Sequence, residues 1–264
     1  MALTILAGGD SFIYGSELED CTVTYSKNTF PALLAKEYAY ECVAWPGYAN
    51  DSIARTVINY CENNKTKNIF VIVSWTFPGR YEFRFDYDTG QRTGNWYALT
   101  PWTAMDDNRG FLKDFKNENT NILDHHINHR ETAKQTGTYD FAKMFYKHVG
   151  GSEYWEIYSS LKEIVYLQNY LKVNNIGYLF TCASTDLFLN YTLQSKEEFC
   201  TTLHKQIDFD KWYIFSNTTP LGFYQWADFN KYKIGTTHPL EEAHRDAAKL
   251  MKDKFYELVK TTIQ

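Results

Sequence analysis

Apolar positions fall along the chain in two patterns, short unbroken runs and longer stretches with a spacing of three to four. The unbroken runs predict buried strands at residues 3–7, 40–44, 69–73 and Gly177–Cys182, with a short last strand at 213–215. The spaced stretches predict helices at residues 30–38, 51–63 and Glu153–Val173, and a C-terminal helix after Pro239. Strands that alternate with helices favour a parallel sheet with helices on both faces. We therefore expect one three-layer α/β/α sandwich domain covering residues 1–264.

Residues 80–151 interrupt this alternation with an aromatic-rich segment and then a polar one. A structureless loop of that length is uncommon in a compact domain, so the segment is predicted to carry its own elements. A lid or substrate-binding insertion and an oligomer contact or decorative subdomain are equally good interpretations. His125 and His129 have the spacing of metal ligands on one helical face. Because no HExxH glutamate and no third ligand accompany them, a solvated polar helix is expected.

Composition narrows the classes of partner. The net charge of −5 and the isoelectric point near 5.8 argue against nucleic-acid binding. No stretch reaches the roughly 18 to 20 apolar residues that span a bilayer, and the chain opens on a core strand instead of a leader, so we expect a cytoplasmic protein. The five cysteines lie far apart without a CxxC pair and predict reduced thiols, with no metal and no cofactor. The 21 tyrosines suit a carbohydrate-binding surface, a core or an oligomer interface.

Candidate chemistry begins where the first strand runs into a Gly-Gly-Asp-Ser turn. There Ser11 follows Asp10 at the predicted start of a helix, where backbone N–H groups can stabilise an oxyanion. Ser11 is therefore a candidate nucleophile. The alternative is that Asp10 or Ser11 only caps the helix.

A second candidate lies at the other end of the chain. His238 precedes Pro239 and the C-terminal helix, so it occupies a stiff loop from which an imidazole can accept a serine proton. Taken alone, a histidine in the position of His238 is more often a surface or capping residue than a catalytic base.

Three separated blocks now resemble the SGNH (GDSL) hydrolase family. They are Gly9-Asp10-Ser11-Phe12 after the first strand, the segment P-G-Y-A-N-D-S-I from Pro46 after the second, and His238-Pro239 before the last helix. The resemblance implies an α/β/α hydrolase fold with Ser11 as nucleophile and His238 as general base. It also implies that the backbone N–H groups of Ser11 and Gly47 bind the oxyanion.

The chain departs from the family pattern at two positions. Gly235 stands where the family places the aspartate that orients the histidine, so we expect a backbone carbonyl or another carboxylate, such as Asp228, to hold the ring. Thr76 stands nearest the position of the family's oxyanion-binding asparagine, and its hydroxyl is the expected substitute donor.

Neighbouring residues complete the predicted site. Asn50 is predicted to contact the oxyanion or the substrate. Arg80 is expected either to bind a substrate carboxylate or sugar hydroxyl, or to form an ion pair that pins its loop. Asp10 and Asp228 are expected to support the catalytic pair.

Two functional hypotheses follow. The first is a serine esterase that hydrolyses a small ester, such as an acetyl group on a carbohydrate, through an acyl-enzyme and without a cofactor. The second is a catalytically inactive protein of the same fold that binds carbohydrate, for example as a component of a virus particle. A phosphodiesterase or nuclease is disfavoured because no metal cluster can be assembled from the sequence.

Overall fold

A computed structural model describes residues 2–89, 94–104, 133–190, 193, 196–216 and 219–263. Its central sheet has four parallel strands in the order β2-β1-β3-β6 within these residues. The strands are β1 (Leu3–Gly8), β2 (Ala39–Cys42), β3 (Asn68–Trp75) and β6 (Gly177–Cys182). In the register of the sheet, Leu6 pairs with Glu41 on one side and with Val71 on the other. The predicted α/β class with a mostly parallel sheet is confirmed.

Helices connect and cover these strands. In chain order the described ones are α1 (Ser11–Tyr14), α2 (Phe30–Leu34), α3 (Asn50–Asn63), α4 (Thr138–Phe145), α5 (Glu153–Val173), α6 (Glu198–His204), α7 (Phe223–Phe229) and α8 (Glu241–Ile263). No described helix is long and apolar enough to cross a membrane.

The strands read as unbroken apolar runs because both faces of the sheet are buried. On one face, Ile5 and Ile72 pack in a cluster with Phe255 of α8. On the other face, Leu6 and Val71 pack in a second cluster to which α3 and α5 contribute. Alternate residues of one strand thus enter different cores, and this produces the three layers.

Most predicted elements are observed with small shifts of their ends. The bounds of Glu153–Val173 and Gly177–Cys182 are the predicted ones. The predicted strand at residues 213–215 is wrong. The chain makes a single parallel bridge there, between Trp212 and Phe180, directly after a 3₁₀ turn at Phe209–Lys211.

The segment at residues 80–151 begins with an antiparallel hairpin, β4 (Tyr81–Arg84) and β5 (Trp96–Leu99). Helix α4 and a π-helical turn at Tyr146–Gly150 follow later in the segment. Together they form a small core of their own, made by Tyr97, Leu99 and Ala142 with partly buried aromatic rings around them. His125, His126 and His129 lie outside the described residues, as does the side chain of Trp102.

The hairpin is fastened to helix α3. Arg55 donates two hydrogen bonds to the carboxylate of Glu82, at 2.6 and 2.7 Å, and the backbone N–H of Glu82 donates to Asp51 at 2.8 Å. This attachment fixes the loop between β3 and β4, where Thr76 and Arg80 lie.

Candidate active site

The turn after β1 presents Ser11 as the first residue of a single helical turn. Asp10 caps that turn, since its carboxylate accepts the backbone N–H of Phe12 at 3.1 Å. The turn ends at Gly15, whose φ of +82° lies in the left-handed region that glycine adopts without strain. Because Asp10 supplies the cap, the hydroxyl of Ser11 does not have to.

His238 lies on a loop that is closed on itself. The backbone N–H of Gly235 donates to the carbonyl of His238 at 2.8 Å, and Ile234 forms an antiparallel bridge with Pro239. From this loop, Nε2 of His238 lies 2.7 Å from Oγ of Ser11. The structure therefore brings together two residues that are 227 positions apart in the chain.

The other ring nitrogen of His238 contacts Glu17. Nδ1 lies 2.6 Å from Oε1 of Glu17, in a contact that leaves both side chains less than 15 % exposed (14 % and 12 %). A proton donated from Nδ1 to the carboxylate leaves Nε2 as an acceptor for the Ser11 hydroxyl. Ser11, His238 and Glu17 thus have the contacts of a catalytic triad.

Further donors hold the Glu17 carboxylate. It accepts the hydroxyl of Thr237 at 2.8 Å, the backbone N–H of Thr237 at 3.1 Å and the backbone N–H of Thr236. Burial raises the pKa of Glu17, but its hydrogen bond to His238, the charge of that ring and the threonine donors together lower the pKa below its usual value. The carboxylate is therefore kept charged beside the imidazole.

Glu17 is not among the residues predicted from the sequence, where a backbone carbonyl or another carboxylate, such as Asp228, is expected to orient His238. In the structure Asp228 lies exposed on helix α7, and Nδ1 of His238 bonds to Glu17 instead. The one signal in the sequence was an acidic segment just after the nucleophile turn, with Glu17, Glu19 and Asp20. Periodicity could not choose among these three.

A buried ion pair lies behind the nucleophile turn. Nη1 of Arg80 lies 2.9 Å from Oδ2 of Asp10, and both side chains are almost fully buried. The hydroxyl of Thr76 donates to the same Asp10 oxygen at 2.5 Å. Of the two roles considered for Arg80, the structure shows the ion pair, and the Thr76 hydroxyl is bonded to Asp10 in place of an oxyanion.

Asn50 also has a role within the protein. Its amide oxygen accepts the backbone N–H of Thr76 at 2.8 Å, and its amide nitrogen donates to the hydroxyl of Ser160 at 3.0 Å. These bonds join the start of α3 to the end of β3, and the substrate contact of Asn50 stays a prediction.

The two predicted backbone donors to the oxyanion, the N–H groups of Ser11 and Gly47, lie on two neighbouring turns. Gly47 lies in the turn after β2. The backbone N–H of Trp45 donates to the carbonyl of Gly9 and so holds this turn beside the nucleophile turn. Its φ of +84° is in the left-handed region. Among the described residues, neither the N–H of Ser11 nor that of Gly47 has a hydrogen-bond acceptor. Both are therefore available to a ligand.

A cleft of about 550 Å³ opens beside the loop of Arg80. Glu153, Glu156 and Asp186 bring three carboxyl groups to it, and burial together with the charges of the other two raises the pKa of Glu156. Ser11 is not among the residues that line this cleft. Phe77 links the cleft to the nucleophile turn, because it lines the cleft and its ring lies 6.1 Å from the ring of Phe12, the residue after Ser11.

The insertion contacts this cleft as well. The hydroxyl of Tyr146, in the π-helical turn, donates to the carbonyl of Gly79 at 2.8 Å, and Gly79 lines the cleft. In the part of the chain that the structure describes, no three histidine, cysteine or acidic side chains are grouped so that they could hold a metal ion.

Two solved structures are similar to the chain over most of its length. One is the psychrotrophic esterase EstA from Pseudoalteromonas sp., at 11 % identity and a TM-score of 0.42, covering 98 % of each chain. The other is a "putative acylhydrolase" from Bacteroides fragilis, at 12 % identity and a TM-score of 0.41, covering 99 % of this chain and 88 % of the other. No protein-family model and no curated protein sequence matches the chain. Likenesses this distant do not identify a function.

Proposed function

We propose that this protein is a serine esterase of the SGNH type that hydrolyses a small ester through an acyl-enzyme. The observation that carries the proposal is the contact of 2.7 Å between Oγ of Ser11 and Nε2 of His238, with Glu17 bonded to the opposite ring nitrogen. A serine, an imidazole and a carboxylate in this order activate the hydroxyl for attack on a carbonyl.

The reaction proceeds in two halves. Nε2 of His238 takes the proton of the Ser11 hydroxyl while Oγ bonds to the ester carbon, and the carbonyl oxygen becomes an oxyanion. The tetrahedral intermediate collapses, the bond to the alcohol breaks, and the imidazolium returns the proton to the leaving alcohol oxygen. Water then repeats the sequence on the acyl-enzyme and releases the acid. Glu17 stabilises the imidazolium in both halves.

The oxyanion is held by backbone groups in this proposal. The N–H groups of Ser11 and Gly47 supply two donors, and a side-chain donor from Thr76 is not used, because its hydroxyl is bonded to Asp10. Each such donor is worth roughly two to three orders of magnitude in rate. Two backbone donors are therefore enough for substantial catalysis.

The substrate is proposed to be a small acyl group on a hydroxyl-rich alcohol such as a carbohydrate. Ser11 is only 8 % exposed, which favours a small acyl group at the nucleophile. Glu153, Asp186 and Asn190 offer acceptors and donors for hydroxyl groups in the neighbouring cleft, and Phe77 offers a ring.

Active-site labelling tests this function. A fluorophosphonate probe is expected to form a bond between its phosphorus and Oγ of Ser11, with loss of fluoride, and p-nitrophenyl acetate is expected to be hydrolysed. Ser11→Ala should lose both reactions, whereas Ser16→Ala, a matched control just after the end of the same turn, should keep them. If the wild-type protein is not labelled and does not hydrolyse the acetate, the inactive carbohydrate-binding protein becomes the better hypothesis.

A further inference from the structure

Gly235 and the carboxylate of Glu17 share one space. A Cβ atom added at Gly235 would overlap Oε2 of Glu17 and would come within 3.2 Å of the side chain of Leu240. The backbone itself does not require glycine at this position, since Gly235 is absent from the described glycines with positive φ. The missing side chain therefore has a steric reason, and that reason is the carboxylate.

The carboxylate has little freedom to move aside. Its oxygens accept hydrogen bonds from Thr236, Thr237 and His238, which follow Gly235 on the same closed loop. The backbone of Glu17 has a φ of +70°, a conformation that non-glycine residues rarely adopt. A displaced Oε2 would rotate the carboxylate and disturb its bond to Nδ1 of His238.

We propose that Gly235 is a positioning residue of the triad, because the space left by its absent side chain lets the Glu17 carboxylate reach the imidazole. The inference rests on the proposed esterase function and extends it to a residue that touches neither substrate nor nucleophile. The acid comes from the N-terminal end of the chain, and glycine at residue 235 leaves room for its carboxylate beside the histidine loop. Substitutions at residues 17 and 235 should therefore not be additive in their effect on the rate.

The test is a double-mutant cycle on Glu17 and Gly235. Gly235→Ala alone should lower kcat, or the rate of fluorophosphonate labelling, by about 100-fold, because a small displacement of a catalytic group has that effect. It should leave KM unchanged, since residue 235 lies against Glu17, which contacts the ring nitrogen of His238 opposite Ser11. In a Glu17→Ala background the same change should alter the rate by less than about twofold, because the overlapping group is gone. Lys233→Ala, an exposed change near the same loop, is the matched control.

A second measurement does not depend on turnover. The proton shared between Nδ1 of His238 and Glu17 should give a far-downfield resonance in the ¹H NMR spectrum of the wild type, and Gly235→Ala should shift or remove it. If Gly235→Ala does not fold, the Glu17→Ala/Gly235→Ala double variant decides, since it should recover the unfolding midpoint of Glu17→Ala.

The outcomes separate the two proposals. A wild type that is not labelled, but whose resonance is lost in Gly235→Ala, contradicts the esterase and supports the placement of the Glu17 carboxylate by Gly235. A labelled wild type whose Gly235→Ala variant keeps its rate and its resonance overturns the role of Gly235 alone. Equal losses in both backgrounds also overturn it, because they would mean that alanine disturbs the loop for reasons unrelated to Glu17.

Discussion

Replacing Glu17 by glutamine should stop the imidazole from acting as a base while leaving the fold in place. The backbone N–H groups of Thr236 and Thr237 both reach Oε2 of Glu17 and cannot act as acceptors, so the amide oxygen of a glutamine turns toward them. Its NH₂ group then takes the place of Oε1 and faces His238, while the Thr237 hydroxyl on that side can accept instead of donate. Nδ1 then becomes an acceptor, and the ring proton moves to Nε2, opposite Oγ of Ser11. In that tautomer the ring cannot accept the serine proton.

The expected loss follows from this change of tautomer. Comparable replacements of the acid in serine hydrolases lower kcat by about 10⁴-fold. A loss of about 10³- to 10⁴-fold is equivalent to about 4–5 kcal/mol of transition-state stabilisation. KM should change little, because Glu17 lies behind the ring and away from the substrate.

The assay compares kcat on p-nitrophenyl acetate for the wild type, Glu17→Gln and Glu19→Gln. Glu19 is an exposed acid two residues along the same segment, so its variant removes the same charge without touching the imidazole. A folded Glu17→Gln variant with activity within about threefold of the Glu19→Gln control would refute the reasoning.

The same contact should be visible in stability. Although burial raises the pKa of Glu17, its bonds to His238 and the threonines lower it below the unfolded value of 4.5. The contact therefore stabilises the fold above about pH 4.5, and this contribution is lost as the pH falls through the lowered native pKa. Urea unfolding should show a smaller loss of stability in acid for Glu17→Gln than for the wild type.

Two further predictions concern groups that position the site. Arg80→Met leaves the buried Asp10 carboxylate without its cation and should lower the free energy of unfolding by about 3–5 kcal/mol in urea titrations; a loss no larger than that of the exposed control Arg84→Met would contradict this. Burial, together with the charge of Glu82, raises the pKa of Asp51 to about 7. Between about pH 4 and 7 Asp51 therefore binds more protons in the native state than in the unfolded state, and its contribution to stability falls as the pH rises. Asp51→Asn should flatten that slope, and an unchanged slope would show that Asp51 is not its source.

The parts of this molecule that the sequence predicts are those with a local cause. Residues 69–73 form a central strand because a strand buried on both faces must be apolar at every position, and this is visible in five consecutive letters. Ser11 and His238 stand out for a similar reason, since each lies at a strand-to-helix or loop-to-helix boundary that its own neighbours specify.

The aromatic residues of the insertion illustrate a pattern with two meanings. The abundance of aromatic residues suited a carbohydrate-binding surface, a core or an oligomer interface, and Phe83, Tyr97 and Phe145 contribute to the small core of the insertion. A ring in a sequence predicts burial against something apolar, whether protein or ligand. Composition could not distinguish the two, because the difference lies in which segments fold together.

Glu17 could not be predicted because no local rule requires an acid at that position. Its partner lies 221 residues away, and the contact exists only because β1 and the loop before α8 end at the same edge of the sheet. In the sequence alone, glycine at residue 235 is consistent with a lost acid and an inactive protein. In the structure, the carboxylate of Glu17 occupies the space that a side chain at residue 235 would fill. The absence of an expected side chain in one segment is therefore weak evidence against activity until the neighbours that could replace it in space are known.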